Sequence, residues 1–104
     1  MDIRELTHQM NAFVTAKGWY DPASPKPQTP RNLAISLGLE VAEVLEHFQW
    51  HEADADVQTL PGELADVALY LLQLASVTDI DLEKAILDKL ALNYSRVWHE
   101  GQTK

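Results

Sequence analysis

The hydrophobic positions of this chain recur at helical intervals in four stretches, and nowhere do they alternate with period two for long enough to build a sheet. Ile3, Leu6, Met10, Phe13 and Val14 form the first stripe, in a segment from residue 2 to about residue 18. Asp2 and Glu5 have the spacing of a capping box at its start, and Gly18 is a plausible stop. Trp19 to Thr29 carries Pro22, Pro25 and Pro27, with Pro30 at its border, and so reads as a loop. Thr29 and Pro30 then supply an N-cap and a first-turn proline for a second helix. That helix runs to about Trp50 on the stripe Leu33, Leu37, Val41, Val44 and Phe48. His51 to Gln58 is polar and acidic and reads as a connection.

Pro61 opens a third helix that ends near Val77. Its centre, Val67 to Leu74, is apolar on nearly every side, the pattern of a helix covered by a bundle or by a partner subunit. Asp79, Ile80 and Asp81 supply a turn and a cap before a fourth helix from Leu82 to about His99, and Gly101 to Lys104 read as a frayed end. The pattern predicts a single all-α domain over residues 1–104, an antiparallel four-helix bundle. A unit this small has little core of its own, so the apolar third helix also predicts completion by oligomerisation.

Composition narrows the chemistry. The chain has 104 residues, 46% of them hydrophobic, which is enough for one core and too apolar for wholesale disorder. It has no cysteine, which removes disulfides, thiolate metal sites and cysteine nucleophiles, and fits a reducing cytoplasm. No basic segment followed by an apolar run opens the chain, and the longest apolar region, Leu64 to Val77, reads as too short and interrupted to span a bilayer. The formal net charge of −8 disfavours nucleic acid and anionic membranes as partners. It also repels a free nucleotide unless cations reverse the sign locally.

Against that background two acidic pairs stand out, Glu40 with Glu43 and Glu63 with Asp66. Each has i,i+3 spacing, which puts both members on neighbouring parts of one helix face. At about 100° per residue, Glu40 falls about 20° from Leu33 and Glu43 about 60° further round, while Glu63, Asp66 and Tyr70 span about 60°. The acids border the apolar stripes. Taken alone, either pair is an ordinary solvated helix face. Two pairs on consecutive helices, each against the core and without a Lys or Arg at i+4, form a candidate metal site. Clustered carboxylates repel one another, and a hard cation such as Mg²⁺, with Mn²⁺ as a substitute, removes that penalty. The pattern points to a metal-dependent enzyme acting on something phosphorylated.

The run from Pro30 to Trp50, PRNLAISLGLEVAEVLEHFQW, resembles the MazG-like all-α nucleotide pyrophosphatases, and is most similar to their dCTP pyrophosphatase branch. The likeness continues through Asp66-Val-Ala-Leu-Tyr70 and through Lys89, Asn93 and Arg96, and covers roughly residues 15–97. It implies that Glu40, Glu43, Glu63 and Asp66 bind Mg²⁺, and that the α–β phosphate bond of a (deoxy)nucleoside triphosphate is cleaved to monophosphate and pyrophosphate. It also implies dimers or tetramers with helices shared at the site, and a role in clearing unwanted nucleotides. The chain departs from the family at Val97-Trp98, in its long proline-rich loop, and at His47 beside the acids.

Other residues fill out the expectation. Glu40 or Glu43 is the candidate general base. Lys89, Asn93 and Arg96 share one face of the fourth helix and, with Arg31 near a helix start, are candidate phosphate ligands, although each also fits an ordinary polar surface. Trp19, Trp50 and Tyr70, together with Tyr20, are candidates for stacking on a base, with core packing as the plain alternative. His47 and His51 are i,i+4, but without a His-Glu-x-x-His motif they read as partly exposed histidines. A rival class is a non-catalytic helical module whose acidic face binds a basic partner. A di-iron bundle is disfavoured because no Glu-x-x-His occurs on two helices.

Overall fold

In a computed structural model, the chain forms four helices in the order α1 (Ile3–Ala16), α2 (Pro30–Glu46), α3 (Leu60–Val77) and α4 (Leu82–Ser95). The structure describes residues 1–50 and 58–96, and no strand occurs among them. The expected connection His51 to Gln58 lies outside the described residues except for Gln58, as do the end of the fourth helix beyond Arg96 and the Gly101 to Lys104 terminus.

Local chemistry sets the helix ends. The Asp2 carboxylate accepts from the Glu5 backbone N–H at 2.8 Å and starts α1. At its end, Gly18 takes φ +75°, the Trp19 N–H donates to the Val14 carbonyl, and the Gly18 N–H donates to that of Thr15. This double bond pattern with a left-handed residue closes the helix. Thr29 caps α2 by accepting from the Asn32 N–H at 3.2 Å, with Pro30 in the first turn. Asp81 does the same for α4 through the Lys84 N–H. The second helix is shorter than its apolar stripe predicts, because the chain turns at His47 to Trp50 instead of continuing the helix.

The strongest packing is between α2 and α3. They run antiparallel: Gln28, just before α2, bonds to Gln73 late in α3, and His47, just after α2, bonds to Thr59 just before α3. Helix α1 lies on α3, and Met10, Val14 and Leu72 form the core, flanked by Ile3, Trp19, Tyr20 and Leu82. A polar chain ties these parts together. The Tyr20 hydroxyl donates to Asn11 Oδ1 at 2.6 Å, and Asn11 Nδ2 donates to Ser76 Oγ at 2.9 Å.

The helical layers are open. Helix α4 touches α1 alone to any extent and has no buried residue. Leu39, Leu45, Leu64 and Leu87 are each half or more exposed. The four helices form the expected all-α fold, with α1 and α2 each packed on α3 and α4 laid more loosely against α1. The reason lies in the α4 sequence, whose apolar residues Leu82, Ile86, Leu87, Leu90 and Leu92 do not gather on one narrow stripe. Length and composition alone would also let α3, at 18 residues, cross a membrane, so the exclusion made on the shorter Leu64–Val77 run does not hold on length. What the structure adds is that α3 carries Glu63, Asp66 and a buried Gln73 and packs on both α1 and α2.

The end of α3 repeats the α1 closure with a less suitable residue. Asp79 takes φ +57°, while the Ile80 N–H donates to the Ala75 carbonyl and the Asp79 N–H to that of Ser76. A side chain in the left-handed region is strained relative to glycine. Asp79→Gly is expected to stabilise the fold by about 0.5–1 kcal/mol, seen as a melting temperature raised by a few degrees. An unchanged or lower melting temperature would contradict this account of the turn.

Candidate active site

One face of each central helix turns toward a common cleft of about 920 Å³. From α2 it receives Leu33, Ser36 and Glu40, one or two turns apart, and from α3 it receives Asp66, Tyr70 and Gln73. Met10, Phe13 and Val14 of α1 form an apolar wall, and Trp19, Lys26 and Gln28 of the proline-rich loop form another. Because α2 and α3 are antiparallel, Glu40 and Asp66 lie at one end of the cleft, and Leu33 and Gln73 lie toward the other.

The acidic end brings all four sequence-predicted carboxylates into one electrostatic neighbourhood. Burial pushes the Glu40 pKa above the ordinary value of 4.5, and Glu43, by charge and by hydrogen bond, then Asp66 and Glu63, push it in the same direction. One oxygen of Glu40, Oε2, is buried with no hydrogen-bond partner. Glu40 and Glu63 are half-buried, whereas Glu43 and Asp66 are exposed. Among the described residues, no three acidic or histidine side chains converge tightly enough to form a ligand set for an ion. Like charges without a counter-ion favour this open spacing.

Glu63 lies against His47, which the sequence placed beside the acids. His47 is half-buried, with 8% of its side chain exposed, and its Nε2 lies 2.5 Å from Glu63 Oε2 and 3.3 Å from Thr59 Oγ1. The signal was present, because Glu40, Glu43 and His47 are spaced i, i+3 and i+7, on one face of α2 and its continuation. His51 lies outside the described residues.

The aromatic candidates divide. Trp19 and Tyr70 line the cleft. Trp19 is braced edge-on by Phe13 at 5.6 Å, with Lys26 Nζ 6.0 Å from its ring centre. Trp50 is 82% exposed beyond α2 and does not line the cleft. Tyr20 joins the hydrogen-bonded core instead. Burial raises the Tyr20 pKa, and a hydrogen bond from Gln73 opposes that rise. Arg31 is exposed at the start of α2, Lys89 and Asn93 lie on α4 and Arg96 caps its end; none of the four lines the cleft in the single chain. The cation among the lining residues is Lys26, which the sequence did not single out.

With this geometry in view, the comparisons with known proteins agree on one kind of molecule. The chain is 38% identical to dCTP pyrophosphatase 1 of Rattus norvegicus, over 91% of this chain and 56% of that protein. It is 31% identical to a dATP/dGTP diphosphohydrolase of Cyanophage S-2L, over 86% of this chain and 75% of the relative. The crystal structure of a pyrophosphatase from Archaeoglobus fulgidus superposes with a TM-score of 0.73 at 35% identity, covering 86% of each chain. No protein-family model matches the chain. The fold and these relatives define an all-α nucleotide pyrophosphatase scaffold. The chain belongs to the MazG-like all-α nucleoside triphosphate pyrophosphatases. It spans 56% of the length of the dCTP pyrophosphatase it matches in rat.

The raised Glu40 pKa has a stability consequence whose sign is fixed. A carboxyl with a folded-state pKa above its unfolded value favours the fold while protonated, and that contribution is lost as pH rises from the ordinary value through the raised one. Without divalent metal, Glu40→Gln is expected to melt higher than the parent, with a gap that widens as pH rises above the ordinary carboxylate range. A gap that is constant or narrows with pH would show that the acids around Glu40 do not repel it.

Proposed function

We propose that this chain is a Mg²⁺-dependent nucleoside triphosphate pyrophosphohydrolase that cleaves between the α and β phosphates, releasing monophosphate and pyrophosphate in the cytoplasm. The observation that carries the proposal is Glu40: a carboxylate with a buried, unpartnered oxygen, crowded by three others, at one end of a cleft with aromatic walls. Such a donor set suits a hard divalent cation, and all-oxygen ligation favours Mg²⁺ or Mn²⁺. Glu40, Glu43, Glu63 and Asp66 would hold it. When bound, the cation supplies positive charge against phosphate oxygens and acidifies water.

The chain's own residues supply the rest. His47 Nε2 lies against Glu63 Oε2. Glu40 or Glu43 would accept the proton of the attacking water. Trp19 and Tyr70 offer ring faces to the base, and Lys26 brings a positive charge to the cleft. The exposed leucines and the loosely held α4 support a homo-oligomer, a dimer or a tetramer. Packing by a second copy is one way for Arg31, Lys89, Asn93 and Arg96 to reach phosphate.

Glu40→Gln and Asp66→Asn are each expected to lower turnover by at least about 100-fold while the fold persists. Chromatography of a deoxynucleoside triphosphate digest should show monophosphate and pyrophosphate. Diphosphate and orthophosphate as products would reject the assignment of the bond. Millimolar Mg²⁺ should raise the melting temperature over EDTA, because a ligand of the folded state alone stabilises it. Identical melting curves, with activity unchanged in both variants, would favour the acidic interaction module. Light scattering coupled to size exclusion should give a dimer or tetramer mass, and a monomer would remove the subunit-packing part of the proposal.

A further inference from the structure

His47 stands where the acidic face of α2 meets α3. The helix ends at Glu46, but His47 keeps helical geometry, with φ −55° and ψ −34°. It follows Glu43 at i+4 and Glu40 at i+7, so its side chain leaves from the face that carries those acids. Little of that side chain reaches solvent, and its Nε2 lies 2.5 Å from Glu63 Oε2 and 3.3 Å from Thr59 Oγ1.

A salt link that merely offset the charge of Glu63 would put the ring N–H in line with a carboxylate oxygen. That alignment is missing. Glu63 Oε2 is buried without a hydrogen-bond partner, although the nitrogen lies so close to it. Glu40 Oε2 is in the same condition. Two carboxylate oxygens are withdrawn from water with no proton aimed at them, and such burial is costly unless a cation completes it. The imidazole against one of them is a different kind of donor. In its neutral form it adds a ligand atom without adding negative charge to a site already crowded with it. Imidazole nitrogen also suits first-row transition ions, whereas Mg²⁺ is held by oxygen. The acids and His47 do not converge as a finished ligand set among the described residues. Ligation therefore asks Nε2 and Glu63 Oε2 to part to about 3 Å, the spacing of neighbouring ligands in an octahedron.

We propose that His47 supplies its Nε2 to the divalent cation held at Glu63, so that the site has mixed nitrogen and oxygen ligation and favours transition ions over Mg²⁺ more than four carboxylates alone would. This rests on the metal-dependent pyrophosphohydrolase reading of the same site.

Mn²⁺ is the probe, because it is paramagnetic and substitutes for Mg²⁺. The protein carries ¹⁵N-labelled histidine, is kept in excess over Mn²⁺, and is examined by electron spin echo modulation. A histidine nitrogen coupled to the ion is expected in the parent, and its loss is expected in His47→Gln. Competition between the two ions, followed through the signal of free Mn²⁺, should show the preference for Mn²⁺ over Mg²⁺ lowered about tenfold in His47→Gln, with Mg²⁺ binding little changed. If that variant does not fold, replacing His8, His51 and His99 by Gln leaves His47 as the only histidine, and the coupling should persist. The proposal is overturned by a parent without histidine coupling, by coupling that survives in His47→Gln or vanishes from the triple variant, or by an unmoved ion preference. None of these readouts needs turnover. If coupling and preference behave as expected but neither ion supports triphosphate hydrolysis, ligation by His47 stands and the pyrophosphohydrolase reading falls. If Mg²⁺ supports hydrolysis and no histidine nitrogen couples to Mn²⁺, the reverse holds.

Discussion

Repulsion among four carboxylates, set against the packing of α2 on α3, is the constraint on which the rest of the structure depends. The α2–α3 pair makes the strongest contact in the chain. Keeping it together crowds Glu40 against Glu43, Asp66 and Glu63. The side chains settle this conflict without leaving the site. Glu43 and Asp66 are exposed, Glu63 lies against His47, and Glu40 and Glu63 each keep one buried oxygen without a hydrogen-bond partner. A sequence selected for stability alone would replace one of these acids with a neutral residue of similar size. Four carboxylates gathered along the closest helix pair are the strongest argument from energetics that the cluster is functional.

The helices and their ends were largely legible in the sequence, because local chemistry decides them. Asp2, Thr29 and Asp81 act as caps, and Gly18 ends α1, through hydrogen bonds within a few residues of chain. The four acids were legible for a similar reason, since i,i+3 spacing fixes which face of a helix they share. What escaped was decided by packing between elements. The helix α2 ends at Glu46, where His47 lies against Glu63 of the neighbouring helix, and no local signal in the sequence marks that end. The place of α4 depends on which neighbour its scattered leucines find, and among the described residues they meet chiefly α1. Lys89, Asn93 and Arg96 share a face as spacing requires, but spacing does not say what that face meets.

Gln73 shows an intermediate case. One glutamine in a run of leucines and alanines is visible in the sequence as an inconsistency, and such inconsistencies gather at functional sites. Its partners are not visible. Gln28 stands 45 residues earlier in the chain, inside a loop whose path is set by prolines and by local bonds from Asp21, Ser24 and Asn32. The pairing required the whole α2–α3 geometry to bring both ends of the hairpin into register.

The proline-rich loop has a thermodynamic consequence of its own. Pro22, Pro25 and Pro27 restrict the backbone in the unfolded chain as well as in the folded one, so ordering this loop sacrifices less freedom than ordering a flexible loop of equal length. With Trp19 and Gln28 already seated against α1 and α3, one wall of the cleft is rigid before anything enters it. Binding at a wall that does not need to close leaves little entropy to lose on complex formation, so selectivity there is settled by the match of polar groups and not by the cost of motion. Such a cleft behaves as a fixed gauge against which small molecules are measured.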